Sequence, residues 1–455
     1  MPKPDYVSTT NACKLCTPLG AALAFRGIEQ AVPFLHGSQG CATYMRRYII
    51  SHFREPMDIA SSSLSEKNAV FGGGPNLKQG LLNARRKYGA QLVGVATTCL
   101  TETIGDDVPG IIHEFKKEFG QENLPELVTV ATPSFHGTHM DGWHSAIRSV
   151  VEQLADDRSA KDKPKGKALN LIPGFVSPAD IRHLKEITAA FGLTTTVLPD
   201  YSETLDGPAL EDYELIPSGG TPLADIKAMG GAKATIEFGS TLQNLKTAGD
   251  VLSDYHGVPL HRLRMPIGLR AADDLFQTLA QISGKETPKE MALERGRLVD
   301  AYVDGHKYLY GRKALVYGEE DLVTALVGFL AEVGVQPVIA ASGGKSGLMK
   351  QAIQDVCQGL TPDLPEVMEG VDFYQIRELA AARKTDLIIG NSKGAVIGRE
   401  LGVPLVRVGF PVHDRFGAQR ILHLGYRGTQ NLLDTIINTI IAEKQANNYV
   451  GYGYM

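Results

Sequence analysis

Residues Val93–Asp107, VGVATTCLTETIGDD, carry the feature that most restricts how this chain can fold: an apolar run that ends on a cysteine and then turns helical. Leu92–Ala96 reads as a buried strand. Thr97 and Thr98 stop it, and a helix is expected from about Thr101, with Asp106 and Asp107 early in it. Cys99 then falls in a strand-to-helix crossover. In open α/β sheets, ligands bind outside the carboxyl ends of strands, where backbone N–H groups and helix N-termini point. A thiol there is expected to have a lowered pKa and to be ready for metal.

The same arrangement recurs through the first 160 residues. Thr17 followed by Pro18 is a good N-cap and first helical position for a helix from Leu19 to Arg26, closed by Gly27, with Cys16 at its N-terminal mouth. Ala31–Leu35 reads as a strand; HGSQGC turns into a helix from Ala42 to about Phe53, so Cys41 occupies the same kind of position as Cys99. A third strand, Leu127–Ala131, is followed by TPSFHGTH and a helix from about Gly142 to Leu154, which places Ser134 in the third crossover.

Three thiols and a hydroxyl at strand ends and helix starts suit an iron–sulfur site, which needs thiolates with backbone donors nearby. The competing reading is ordinary: three packing cysteines and a serine cap. Zinc favours close ligand pairs. Cys13 and Cys16 do form a C-x-x-C, but no second pair follows and no βαβ unit precedes it, which argues against both a zinc half-site and a redox pair. Five cysteines in 455 residues are too few for a disulfide framework. His36, His52, His136 and His139 fall in or near these loops and are expected to be hydrogen-bonded structure.

A net charge of −5 gives no basic surface for nucleic acid. No run of about 18 apolar residues occurs and Met1–Thr10 is polar, so no membrane span or signal peptide is expected, and the location expected is cytoplasmic.

The segments CTPLGAALAFRGIE, LHGSQGCATYMRRY, HFREP, AVFGGG, TTCLTETIGDD and TPSFHGTHMDGW, in this order and spacing from Asn11 to Trp143, resemble the β-type subunit of nitrogenase component 1. The resemblance implies that Cys16, Cys41 and Cys99 hold the subunit's share of an [8Fe-7S] P-cluster, with Ser134 matching a serine that can ligate the oxidised cluster. A [4Fe-4S] cluster is the alternative, and the role of Cys13 stays open. Phe71 in AVFGGG matches an aromatic residue presented to an ATP-dependent iron–sulfur reductase, component 2; its other reading is a core phenylalanine before a glycine turn. Three thiolates are too few for a large cluster, so further ligands are expected from a second chain, an α-type subunit in an (αβ)2 assembly.

Asp156–Lys167, DDRSAKDKPKGK, reads as a charged linker. The chain is then expected to form three Rossmann-like α/β domains with parallel sheets, over residues 1–160, 168–312 and 313–455. Lys285–Arg295 reads as a solvated face, IPSGGTPL as a glycine turn before a helix, and Cys357 as core. ASGGKSG ends like a phosphate-binding loop, but Ile339 stands where that loop requires glycine, so the chain is not expected to hydrolyse ATP.

Nothing resembles the distant Cys and His pair by which the family's α-type subunit holds the active-site cofactor, so substrate reduction is expected in the partner. IPSGGTPLADIKAMGGAKATIEFG and RGRLVDAYVDGHKYLYG resemble the β-type subunit of the cofactor-assembly scaffold, whereas the complete ligand set favours a working electron relay. A nitrogenase-like methylthio-alkane reductase, cleaving C–S bonds, combines these traits and is the function expected. The alternative is the assembly scaffold.

Overall fold

The structure, a computed structural model, describes residues 12–135, 137–156 and 168–448. Met1–Thr10, His136 and all but the first residue of the charged linker lie outside the described residues. The strands form three all-parallel sheets. The first has the order β2-β1-β3-β4, from β1 (Ala31–His36), β2 (Ala60–Ser61), β3 (Leu92–Thr97) and β4 (Glu126–Val130). The second, β6-β5-β7-β8, contains β5 (Leu169–Ile172), β6 (Thr195–Val197), β7 (Ala234–Phe238) and β8 (Leu260–Leu263). The third, β11-β10-β9-β12-β13, contains β9 (Lys313–Gly318), β10 (Gln336–Ser342), β11 (Glu366–Met368), β12 (Leu387–Gly390) and β13 (Leu405–Arg407). This is the α/β architecture expected from the alternation of apolar runs and helical segments.

Strands β1 and β3 are buried at every residue, as continuous apolar runs in the middle of a parallel sheet must be. Their register is flush: Ala31 pairs with Leu92 and His36 with Thr97, while Ala96 pairs with Val130 of β4. The chain therefore leaves β1, β3 and β4 at one edge of the sheet, and the three cysteine- and serine-bearing loops start side by side. One buried apolar cluster runs from Leu35 through Leu171 to Val316 and Ile389, so residues of all three sheets share a core.

Helix Thr17–Arg26 is buried at all ten residues and packs on helix His139–Leu154. Two glycines allow a backbone-to-backbone approach. A Cβ built on Gly20 would lie 1.6 Å from the His139 carbonyl oxygen, and one on Gly142 would lie 1.9 Å from that of Thr17. The contact sets the start of the first helix against the loop that follows β4.

Local chemistry moves three expected boundaries. The helix expected from Thr101 is two helices, Cys99–Ile104 and Val108–Phe119. Thr101 Oγ1 accepts from the Thr98 N–H at 3.0 Å, which starts the first early. Gly105, at φ 77°, ends it, and Asp107 caps the second by accepting from Gly110 N–H. Asp106 lies between them. The second cysteine helix begins at Gln39 and not Ala42, and Cys16, not Thr17, is the N-cap of the first. Among the described residues no helix is long and apolar enough to cross a membrane.

Candidate metal centre

Cys16 is the N-cap of helix Thr17–Arg26, Cys41 is the third residue of helix Gln39–Phe53, and Cys99 is the first of helix Cys99–Ile104. All three thiols thus sit at helix N-termini, beside backbone N–H groups that have no partner within the helix. Ser134 ties two of these places together. Its hydroxyl accepts from the Thr17 N–H at 3.0 Å, and its own N–H donates to Cys99 Sγ at 3.3 Å. The serine is therefore a cap, but of a helix 117 residues away in sequence. The Ser38 hydroxyl donates to Cys41 Sγ at 3.7 Å. Below them, Thr132 locks the loop after β4 to the end of β3, its N–H on Thr97 Oγ1 at 2.8 Å and its hydroxyl on the Thr97 carbonyl at 2.6 Å.

The Cys16 thiol is pushed up from its ordinary value. Burial is the largest cause, and the neighbouring Cys99 and Cys41 add to it, against the lowering effect of the Ser134 hydroxyl and Lys14. The Cys41 and Cys99 sulfurs therefore lie within electrostatic reach of Cys16: a thiolate at either raises the cost of one at Cys16, and a bound cation removes that cost. Among the described residues no three His, Cys, Asp or Glu side chains are placed to hold a metal ion. Cys99 is exposed and Cys41 half-buried, while Cys16, whose side chain opens to solvent, is still surrounded by enough protein for desolvation to act on it. Tyr44, in the same helix as Cys41, is 60% exposed, and Phe135, next to Ser134, is 56% exposed.

Cys13 does not join this group. Its N–H donates to the Val371 carbonyl and its carbonyl accepts from Gly343 N–H, both at 3.1 Å, which fastens the segment beside the third sheet. There the thiol is buried and pushed up to about 12, by burial first and then by Glu319. A cavity of about 330 Å³ adjoins it, lined by His139, Glu319, Glu320 and Lys345 among others. Cys357 is core, as expected.

His36, His52 and His139 are hydrogen-bonded structure; His136 lies outside the described residues. His52 Nδ1 accepts from Val412 N–H at 2.9 Å, and burial pushes its pKa down to about 3. His139 Nε2 meets Glu319 Oε1 at 2.9 Å. His36 is fully buried between Ser62 and Asp106. Sequence reasoning missed Asp106, which it placed inside a helix. The only signal available was the glycine before it, a helix stop two residues ahead of a second N-cap.

Phe71 ends helix Glu66–Phe71 before Gly72, which turns at φ 80°. It is 77% exposed, and Val70 beside it 78%, so the core reading of this phenylalanine is overturned. An apolar pair this exposed has no packing reason to be there.

The sequence profile described as "Nitrogenase component 1 type Oxidoreductase" matches residues 16–441. The chain is 38% identical over 446 residues to the nitrogenase molybdenum-iron protein beta chain of Methanothermobacter marburgensis, covering 95% of this chain and 94% of that one. It is 35% identical over 434 residues to the protein of that name from Clostridium pasteurianum, at 95% and 93% coverage. A solved structure described as "Nitrogenase Cp1 at pH 6.5" superposes with a TM-score of 0.94 at 32% identity, over 100% of this chain and 98% of that chain.

Proposed function

Because the chain belongs to the nitrogenase component 1 type oxidoreductases as a β-type subunit, we propose that Cys16, Cys41 and Cys99 hold its share of a P-cluster-type iron–sulfur cluster. The observation that carries this is the convergence of Cys41 and Cys99, from two strand-to-helix crossovers, with Cys16, at the N-cap of helix Thr17–Arg26, with Ser134 of a third crossover tying the places of Cys16 and Cys99 together. The donor set fits: soft sulfur ligands at helix N-termini, with N–H and O–H groups turned to the sulfurs. When bound, such a cluster supplies reversible electron storage. The chain's own residues do the rest. Each thiol loses its proton on ligation, which at Cys16 works against burial. The Ser134 N–H and the Ser38 hydroxyl donate to Cys99 and Cys41 sulfur and orient those side chains. The Ser134 hydroxyl, which faces Cys16, would be a further ligand for such a cluster.

Three ligands on an open face leave the site incomplete, and an α-type subunit in an (αβ)2 assembly completes it. The exposed Val70 and Phe71 receive the ATP-dependent iron–sulfur reductase. Electrons pass to a cofactor in the α-type chain. The substrate class we assign is methylthio-alkanes, on the scaffold-like segments combined with a complete relay ligand set. Reductive C–S cleavage consumes two electrons and two protons and yields a thiol and an alkane.

The test is iron, sulfide and EPR on the anaerobically purified complex, with Cys99→Ala beside it. An eight-iron signal that changes on two-electron oxidation and is lost in the variant is the expected result. Unchanged iron content in Cys99→Ala refutes the ligand assignment. ATP-dependent release of a thiol from a methylthio compound supports the substrate class; transfer of a cofactor to an apo-enzyme without turnover replaces it with the assembly-scaffold reading.

A further inference from the structure

A hydrogen-bonded chain of buried side chains connects the exposed Phe71 turn to the loops that carry Cys41 and Cys99. Asp106, with its side chain 8% exposed, accepts from the Gly73 N–H through Oδ1 at 3.1 Å and Oδ2 at 3.0 Å. Its Oδ2 also meets His36 Nε2 at 3.0 Å, and His36 Nδ1 meets Ser62 Oγ at 2.9 Å. Ser62 in turn accepts from the Gly37 N–H at 2.9 Å. With Nε2–H donated to the carboxylate, Nδ1 takes the serine hydroxyl proton, so one tautomer satisfies every member. A Ser–His–Asp chain of this kind is a nucleophile elsewhere, but Ser62 is 4% exposed and its oxygen is held on backbone.

The position of the chain in the fold gives it another use. His36 is the last residue of β1, five residues before Cys41. Its carbonyl accepts from the Thr98 N–H at 3.1 Å and from Thr101 Oγ1 at 3.0 Å, one residue and two residues from Cys99. Asp106 N–H donates to the Thr101 carbonyl at 3.2 Å, which closes the loop after the Cys99 helix. Gly73, the other partner of Asp106, is two residues from Phe71 and is the N-cap of helix Gly74–Tyr88. No slack exists at this joint: a Cβ on Gly73 would stand 2.6 Å from Asp106 Oδ2 and 2.8 Å from His36 Cε1.

We propose that the Ser62–His36–Asp106 chain is a positioning device that couples the Phe71 turn, where the electron donor docks, to the loops of Cys41 and Cys99. The inference rests on the functional reading above. A shift of the Gly73 turn on docking is transmitted through the carboxylate to the end of β1 and the start of the Cys99 helix, because interiors this closely packed and hydrogen-bonded move as units.

The experiment uses the assembled complex with its reductase. Asp106→Asn keeps the shape but puts an amide N–H against a donor, and a hydrogen bond to a charged group is worth tenfold or more in an equilibrium. The expected result is at least a fivefold loss in the rate of donor-dependent reduction at limiting donor, with iron content and the cluster EPR signal as in wild type. In a Phe71→Ala background the same substitution should cost less than twofold, since the coupled surface is already gone. Should Asp106→Asn fail to assemble, Gly73→Ala carries the same expectation, as its methyl displaces the pair without changing charge. His36→Gln, which can still donate to Asp106, should stay within twofold of wild type. Donor-dependent rates within twofold of wild type in both Asp106→Asn and Gly73→Ala, additivity with Phe71→Ala, or loss of iron in Asp106→Asn would each overturn this inference alone. A wild-type complex without iron, or one indifferent to Phe71→Ala, overturns the functional reading and the coupling with it.

Discussion

Gly20→Ala tests how the candidate centre is held in place. The added Cβ would stand 1.6 Å from the His139 carbonyl oxygen, and non-bonded contacts below 3.0 Å essentially do not occur, so helices Thr17–Arg26 and His139–Leu154 must open by about 3.0 − 1.6 = 1.4 Å. The obstacle is backbone and cannot rotate away. All ten residues of the first helix are buried, so separation loosens their packing along its whole length. The cost should exceed ordinary overpacking and reach about 3–5 kcal/mol. Urea denaturation of the purified protein, followed by far-UV circular dichroism, measures it. Gly296→Ala is the control: it is helical, with nothing within 4 Å of the new methyl, and should be neutral or stabilising by up to about 1 kcal/mol. Gly142→Ala presses on the same contact from the other side, at 1.9 Å from the Thr17 carbonyl oxygen. The double variant should therefore cost clearly less than the sum of the two, because helices already apart accept the second methyl. A Gly20→Ala midpoint within about 1 kcal/mol of wild type, or strict additivity with Gly142→Ala, would refute the close-approach argument.

Two further predictions concern the scaffold around the site. Burial, and after it the neighbouring Glu369, push Glu320 up to about 8 from an ordinary value of 4.5. Between those values the folded chain keeps a proton that the unfolded chain has lost, so this group's contribution to stability falls as pH rises from 4.5 toward 8, by at most about 1.4 kcal/mol per unit. Glu320→Gln should accordingly be more stabilising at pH 8 than at pH 5, and equal shifts in urea midpoint at both would disprove it. Asp180, 2% exposed, accepts from the His423 and Leu424 N–H groups at 2.8 and 3.0 Å and anchors the C-terminal segment to helix Pro178–Ala190. Asp180→Ala leaves those buried donors unpaired and should cost about 2–4 kcal/mol by the same assay, against under 1 kcal/mol if water replaces the carboxylate.

Much of the fold is legible without coordinates because its signals are local. Continuous apolar runs such as LVGVAT can only be buried strands or short buried helix pieces, and the glycines, threonines and prolines after them decide for strand and crossover. Helix caps with self-contained chemistry, such as Ser177 before Pro178, depend on neighbouring residues alone. Boundaries slip where the capping group comes from elsewhere. Helix Thr17–Arg26 starts at Cys16 in part because Ser134, far along the chain, accepts its first N–H.

The sequence by itself determined which residues carry thiols at strand-to-helix crossovers, and that the crossovers belong to parallel α/β units, since periodicity and turn chemistry are properties of neighbouring residues. Only the tertiary structure decided what those positions share. The flush register of β1, β3 and β4 brings three loops to one edge, and a shift of one residue in any strand would turn its neighbours to the opposite face. Exposure is likewise a property of what does or does not pack above a residue, so the Phe71 sequence reads equally as core or surface until the turn at Gly72 is placed. A pKa depends on all the charge and solvent around a group, and the sign of the shift at Cys16 was settled by burial and by two thiols that the sequence sets 25 and 83 positions away. The His36–Asp106 pair spans 70 residues for the same reason: a carboxylate finds its histidine through the packing of the sheet, which no local pattern records.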